Sequence, residues 1–335
     1  MKQYYKTREE WEAMRNALVA DGRMGGSMVG TAAGVDPWKS PYTLWAELTG
    51  RVEKADLSGR EPIKVGTDLE DYVARRFCEL TLKSVHRENC IITNEAYPHL
   101  FATIDRKVAG ESSGLECKTA NAYRDGAFAE GHFPDGYYRQ VKTYLAVTGL
   151  DRWYLAVLVM GIAFRVFLIT RRAEDLDNLP TWVAGARLVS EMEIDDCEED
   201  AARFMACVKS GNPPPLVGTA DERASLNVAN TVGKGTATTL NADIEALIEH
   251  RRELKAAGDA TKEEIQLVEN KIIYALQGAE EGRGASWKVT YKVSETRRLD
   301  KDAVAARLGG TIPDDCYKVT SAPTLRISPI KKNYK

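Results

Sequence analysis

Hydrophobic positions recur along this chain with two different periods, and the changes of period divide it into helices and strands. Thr7-x-x-Glu10 is a capping box, and Trp11, Met14 and Leu18 follow at helical spacing, so a helix runs from there to Asp21–Gly22. Ser40-Pro41 is a cap followed by proline at the first helical position, and that helix ends at Thr49-Gly50. After a charged loop over 51–63, Leu69, Val73, Phe77 and Leu80 give one side of an amphipathic helix from Thr67 to Leu82. Pro134 to Thr148, closed by Gly149, is a further helix on which Gln140 and Tyr144 share a face. Asp151–Met160 and Ala163–Thr170, separated by Gly161, read as a β-hairpin, and residues 173–210 as helical.

The most informative stretch is Tyr97–Thr119. Leu100 to Val108 is apolar and β-branched enough for one strand, Gly110, Ser112, Ser113 and Gly114 supply a turn, and Leu115 to Thr119 gives a second strand. Side chains alternate along a strand, so Glu116 and Lys118 point one way and Cys117 the other. A hairpin would bring Asp105 beside Glu116.

Past Gly211-Asn-Pro-Pro-Pro, Leu216 to Thr239 is rich in Gly, Thr, Ala and Asn without a clear period, and reads as a linker or extended arm. Asp243–Ala256 and Thr261–Leu276, the second capped by Thr261-x-x-Glu264, suit an antiparallel helical hairpin. Ser286–Glu295 and Cys316–Ile327 alternate like strands ahead of a basic tail. The expected organisation is a first domain over 1–212, a linker over 213–239 and a C-terminal module over 240–335.

Composition narrows the class. With 335 residues, 44% hydrophobic and 28% charged, the chain is an ordinary globular protein with ample core. A net charge of −3 advertises no overall basic coat for a polyanion, though an acidic centre inside a locally basic groove is compatible with it. Six cysteines without a CxxC pair or regular spacing read as reduced thiols, which with the lack of an apolar targeting core at MKQYYKTREEW points to the cytoplasm. The four histidines are scattered without paired ligand spacing, so serine, cysteine and zinc hydrolases find no support.

Two converging carboxylates, Asp105 and Glu116, suit Mg²⁺, which binds through one or two carboxylates and keeps several waters. Such an ion lowers the pKa of its water and stabilises charge on a phosphoryl oxygen. Lys118 can position or deprotonate the attacking water, or hold the scissile phosphate. The order Asp, then Glu-x-Lys therefore suits metal-assisted phosphodiester cleavage, the alternative being charged residues on an exposed hairpin.

The hairpin resembles the core of the PD-(D/E)xK nucleases, and more closely their YqaJ and lambda-exonuclease branch. Gly25–Ser27 (GGS), Pro37–Trp38, GTDLEDYVA at 66–74 and YRQVKTYLAVTG at 138–149 follow that branch in order, and the likeness spans 20 to 210. It implies an α/β fold with a central mixed sheet flanked by helices, plus the C-terminal helical hairpin and β appendage as an addition. It implies that Glu70 faces the metal site from its helix, and that the Cys117 backbone carbonyl completes the metal shell. Gln140 of the Q-x-x-x-Y pattern would order the site, and Arg23, Ser27 and Tyr144 would contact the DNA end and its phosphate. Trp38, Tyr42 and Trp45 read as core rather than as DNA-stacking residues. Over Asn121–Phe133 runs a polar loop able to cover DNA, in which His132 reads as incidental.

The activity so implied is a Mg²⁺-dependent deoxyribonuclease, with Mn²⁺ as a substitute. It would be a 5′-to-3′ exonuclease resecting double-stranded ends for phage-type single-strand annealing, in the cytoplasm of a bacterial host. A single-strand annealing protein and other copies of the chain, as in a trimeric ring, are the implied partners. An endonuclease with a structural or sequence preference, and a catalytically inactive DNA-binding or assembly module, stand as alternatives.

Overall fold

The computed structural model describes residues 1–230, 233–258, 262–299 and 317–329. The chain divides into two compact units, Met1–Thr49 with Glu53–Pro214, and Gly50–Val52 with the chain from Pro215 on. In the first unit the elements are β1 (Lys2–Tyr4), α1 (Arg8–Ala20), β2 (Met24–Gly25), α2 (Gly26–Ala32), α3 (Pro41–Leu48) and α4 (Glu61–Thr81). They are followed by β3 (Val85–His86), β4 (Cys90–Asn94), β5 (Tyr97–Ala102), β6 (Arg106–Val108) and β7 (Ser113–Ala120). The unit closes with α5 (Asp135–Thr148), β8 (Arg152–Val159), β9 (Ala163–Thr170), β10 (Val183–Leu188) and α6 (Glu191–Ser210).

Six strands form the main sheet in the order β10-β9-β8-β7-β6-β3, with β7 parallel to β8 and antiparallel to β6. Since β10 is parallel to β9 and β8 antiparallel to it, the sheet is mixed. The α/β architecture, a mixed sheet flanked by helices, is thus the expected one. On one face, Val73, Ala74 and Phe77 of α4 pack against Val108, Leu115, Tyr154, Ala156, Val166 and Leu168. α5 lies against α2 and the strands of the smaller sheet, β1-β4-β5-β2. Its C-terminus is closed by Gly149, whose φ of 67° lies in the left-handed region.

Several expectations are corrected. The strand expected over Leu100–Val108 is two strands in two sheets: β5 pairs with β4 and β2, β6 with β7 and β3, and the chain changes sheets over 103–105. Local sequence cannot report such a crossing, because both halves carry buried apolar residues. α4 begins at Glu61 rather than Thr67, since Pro62 is tolerated in a first turn, and Leu80 lies outside its buried face. Residues 173–210 include β10, which adds a parallel edge to the sheet, as well as α6.

In the second unit, the stretch 216–239 read as a linker holds α7 (Ala220–Ala229) and β11 (Gly233–Thr239). The fully buried Glu222 organises it by accepting the Val217 and Gly218 N–H groups at 2.9 and 2.8 Å. α8 (Ala242–Ala257) and α9 (Lys262–Leu276) pack together, and β12 (Ala279–Arg283), β13 (Trp287–Leu299) and β14 (Tyr317–Pro329) form a sheet ordered β11-β12-β13-β14. The Thr261 cap, Cys316 and the end of the basic tail lie outside the described residues. Among the described residues no helix is long and apolar enough to cross a membrane.

Candidate active site

The ladder between β6 and β7 pairs Arg106 with Leu115 and Lys107 with Gly114, so one further step sets Asp105 opposite Glu116. Asp105 Oδ2 accepts the Cys117 backbone N–H at 2.9 Å, which ties the crossing between the sheets to the middle of β7. Leu115 and Cys117 turn toward α4, and Glu116 and Lys118 turn toward α5. The alternation read from sequence is what separates core from chemistry here.

α5 presents Tyr137, Gln140 and Tyr144 at helical spacing to this face. The Gln140 amide donates to Glu116 Oε1 at 2.7 Å and meets the Tyr144 hydroxyl at 2.5 Å, with both residues buried. Lys118 Nζ lies 2.5 Å from the same Oε1 and 5.2 Å from the centre of the Tyr137 ring. Gly26 of α2 permits the close approach: a Cβ there would stand 2.8 Å from Tyr144 Cε1.

The electrostatics are those of a crowded acidic centre. Burial and the neighbouring Glu116 charge push the Asp105 carboxyl well above the usual carboxylate range, against the pull of Lys118. Burial on its own would lower the Lys118 ammonium, but the Glu116 and Asp105 charges outweigh it and raise it. Burial and the charges of Asp105 and Glu116 push the Cys117 thiol well up, and burial with Glu116 and Asp105 does the same to the Tyr144 phenol. Glu116 Oε2 is buried without a hydrogen-bond partner among the described residues.

Glu70 stands on a different arrangement. Its Oε1 accepts from Arg106 Nη1 at 2.7 Å and Arg87 Nη2 at 3.2 Å, while Asp71 also pairs with both arginines. Arg106 is buried and its Nη1 also donates to the Asp105 carbonyl at 2.7 Å. Glu70 is therefore linked to Asp105 through Arg106, and both carboxylates line one cavity of ≈ 430 Å³. Lys118 and Gln140 line another, of ≈ 240 Å³, with Ser27, Trp38, Arg124 and Tyr137.

Ser27 is exposed and lies within α2, whose N-cap is Gly25. Arg23 pairs with Asp21 at 3.6 Å and is not among the residues lining the Lys118 cavity. Trp38 is the clearest correction: Tyr42 and Trp45 are buried, but Trp38 is 72% exposed. Residues missed by sequence reasoning are Arg106, Arg124 and Tyr137. Only Tyr137 carried a signal, three positions before Gln140 on one helical face.

Among the described residues no three His, Cys, Asp or Glu side chains gather as a metal site. The donors that do converge fit a hard cation nonetheless. Mg²⁺ takes one or two protein carboxylates and completes its shell with water and substrate phosphate. The half-buried Asp105 and the buried Glu116, with one orphaned oxygen, Glu116 Oε2, offer that set.

Residues 10–151 match the YqaJ-like viral recombinase domain. The YqaJ likeness read from the motifs is borne out over these residues, and the matched span contains Arg23, Ser27, Glu70, Asp105, Glu116, Cys117, Lys118, Gln140 and Tyr144. Along nearly its whole length the chain is also 28% identical to the uncharacterized protein YqaJ of Bacillus subtilis (strain 168), covering 97% of this chain and 95% of that one. Solved structures with related coordinates include an alkaline exonuclease (LHK-Exo) from Laribacter hongkongensis, at 19% identity and a TM-score of 0.46 over 61% of this chain and 94% of that one. A phage-related exonuclease from Haemophilus somnus 129PT aligns at 11% identity and a TM-score of 0.37, over 56% and 96% of the two chains.

Proposed function

We propose that this YqaJ-like protein is a divalent-metal-dependent deoxyribonuclease. The observation that carries the reading is the convergence of Gln140 and Lys118 on one oxygen of Glu116, with Asp105, just ahead of β6, accepting the neighbouring Cys117 N–H. An acid–acid–lysine centre ordered by a buried amide is suited to phosphodiester hydrolysis.

In this reading Asp105, Glu116 and the Cys117 carbonyl hold Mg²⁺, with Mn²⁺ as a substitute, and Glu70 supports the set through Arg106 or through water. The bound ion would supply an activated water and charge stabilisation at the phosphoryl group. Lys118, held as an ammonium by the two carboxylates, binds a phosphate oxygen or orients the attacking water rather than taking its proton. Gln140 fixes the rotamer of Glu116 by donating to Oε1, leaving Oε2 directed elsewhere. Tyr144 anchors the Gln140 amide. Ser27, on the rim of the Lys118 cavity, contacts a DNA phosphate. Arg23, outside that lining, contributes only at longer range. Contacts to phosphate carry little sequence information, so weak sequence preference follows.

The most specific form of the proposal is a 5′-to-3′ exonuclease on linear duplex ends. It would serve single-strand annealing recombination for a phage or prophage in the bacterial cytoplasm, alongside an annealing protein. A homo-oligomer, a trimeric ring among the options, and a nuclease domain followed by a C-terminal module for assembly, partner docking or DNA contact belong to the same proposal.

The test is digestion of a duplex end-labelled on either strand beside the same DNA as a covalently closed circle, each with Mg²⁺ and with EDTA. Release of the 5′ label, an intact circle and no activity in EDTA support the exonuclease. A cut circle would replace it with an endonuclease. Binding without cleavage in any divalent metal would leave a DNA-binding module.

A further inference from the structure

An exposed tryptophan beside a buried polar centre is unusual enough to require an account. Among the described residues Trp38 is the one exposed tryptophan, at 72%, and it lines the same cavity as Lys118, Gln140 and Ser27. Its backbone is pinned. The Trp38 N–H donates to Asp36 Oδ1 at 2.8 Å, and Asp36 Oδ2 accepts from Thr31 Oγ1 of α2 at 2.8 Å. Pro37 between them fixes its own φ, so the indole is presented by a stiff turn.

The Arg124 guanidinium stacks over the Trp38 ring at 5.4 Å, from the short helical turn Ala122–Phe128 that follows β7. Arg124 has no carboxylate partner among the described residues, so its charge is available to a polyanion. Asp36, the carboxylate lining this cavity, is already engaged by two donors. The cavity thus joins an ammonium, a guanidinium and a flat aromatic surface, which together match one nucleotide: phosphate for the cations, base for the ring.

We propose that Trp38, backed by Arg124, is the stacking platform for the nucleobase adjoining the phosphate held at Lys118. This deepens the nuclease reading and rests on it. Stacking accepts any base, because each has a π-face, so the platform orders the strand end without selecting a sequence. It makes Trp38 a substrate-binding residue with no part in bond cleavage.

The experiment measures binding of a fluorescein-labelled, 5′-phosphorylated duplex by anisotropy in EDTA, where no hydrolysis occurs. Wild type, Trp38→Ala and Trp38→Phe are compared on that duplex and on one whose 5′-terminal nucleotides are abasic. Thermal midpoints verify that the variants fold. Trp38→Ala should weaken binding of the base-bearing end roughly 5- to 150-fold, the range for losing one stacked base. Trp38→Phe should retain most of the affinity, and on the abasic end wild type and Trp38→Ala should converge. Equal binding of both duplexes by Trp38→Ala and wild type overturns the platform. So does an equal loss on the abasic end, which would mean a contact to backbone alone. A wild-type protein that cuts DNA while Trp38→Ala is unaffected sinks this inference only. A wild-type protein that neither binds nor cuts sinks the nuclease reading with it.

Discussion

Lys118 Nζ and Glu116 Oε1 stand 2.5 Å apart, two residues along one strand and on the same face of it. The pair is shielded by α5, which contributes both the Tyr137 ring beneath the ammonium and the Gln140 amide to the carboxylate. In this low-dielectric setting the Glu116 and Asp105 charges outweigh burial and hold Lys118 as an ammonium. The ammonium is bound firmly enough to serve as a cation at neutral pH.

Removing that cation should remove activity without removing the fold. Lys118→Ala is expected to lower single-turnover cleavage of end-labelled duplex by about 10²–10⁴-fold, the usual reach of one positioned proton-handling or charge-stabilising group. Binding of the same DNA in EDTA should change far less. Cleavage retained within a factor of a few would show that the lysine merely neutralises Glu116.

Gln140 positions Glu116 and touches no substrate in this reading. Gln140→Ala should cost roughly 10–100-fold in metal affinity, as loss of an outer-shell partner does. The check is the Mg²⁺ concentration needed for half-maximal cleavage, which should rise, with recovery of rate at saturating metal. Gln140→Glu should be worse than alanine, since it sets another acidic group against a carboxylate that is already crowded. An unchanged Mg²⁺ requirement in both variants would count against the positioning role.

Gly114 precedes Glu116 and Lys118 on β7, and a Cβ on it would overlap the Trp153 indole of β8. Trp153 is fully buried, so the ring has no room to retreat. Gly114→Ala is expected to destabilise the protein by about 1–3 kcal/mol, the range for overpacking a core. A denaturant melt of the variant would measure this, and a loss below a few tenths of a kcal/mol would show that the strands can part there.

Tyr154, in the core beneath the site, has its phenol pushed up to about 12 by burial and the nearby Glu111 charge. The folded state therefore holds this proton more tightly than the unfolded chain does. The associated stability is intact below the ordinary tyrosine value near 10 and is lost as pH rises toward 12, at up to about 1.4 kcal/mol per pH unit. Alkaline melts of wild type and Tyr154→Phe should diverge across that window, the variant losing less. Parallel curves would place the alkaline transition on other groups.

Much of the candidate site is legible in the sequence. Strand alternation alone put Glu116 and Lys118 on one side of β7, and helical spacing put Gln140 and Tyr144 on one side of α5. These are local periodicities, fixed by backbone geometry over a few residues. The GGS, Pro-Trp, G-x-x-L-E and Q-x-x-x-Y segments, in order, also sufficed for the family likeness that residues 10–151 bear out.

What the chain could not report locally was decided by tertiary packing. The change of sheets between β5 and β6 looks, in sequence, like one strand, because apolar and β-branched residues continue on both sides of it. The Glu70–Arg106 pair joins residues 36 positions apart, and the exposure of Trp38 depends on which neighbours fail to cover it. The buried Glu222 that folds the supposed linker reads, in sequence, as one more surface acid. Periodicity determines which face a side chain occupies. Only the assembled fold determines what that face meets, because contact, desolvation and charge pairing are properties of residues distant along the chain.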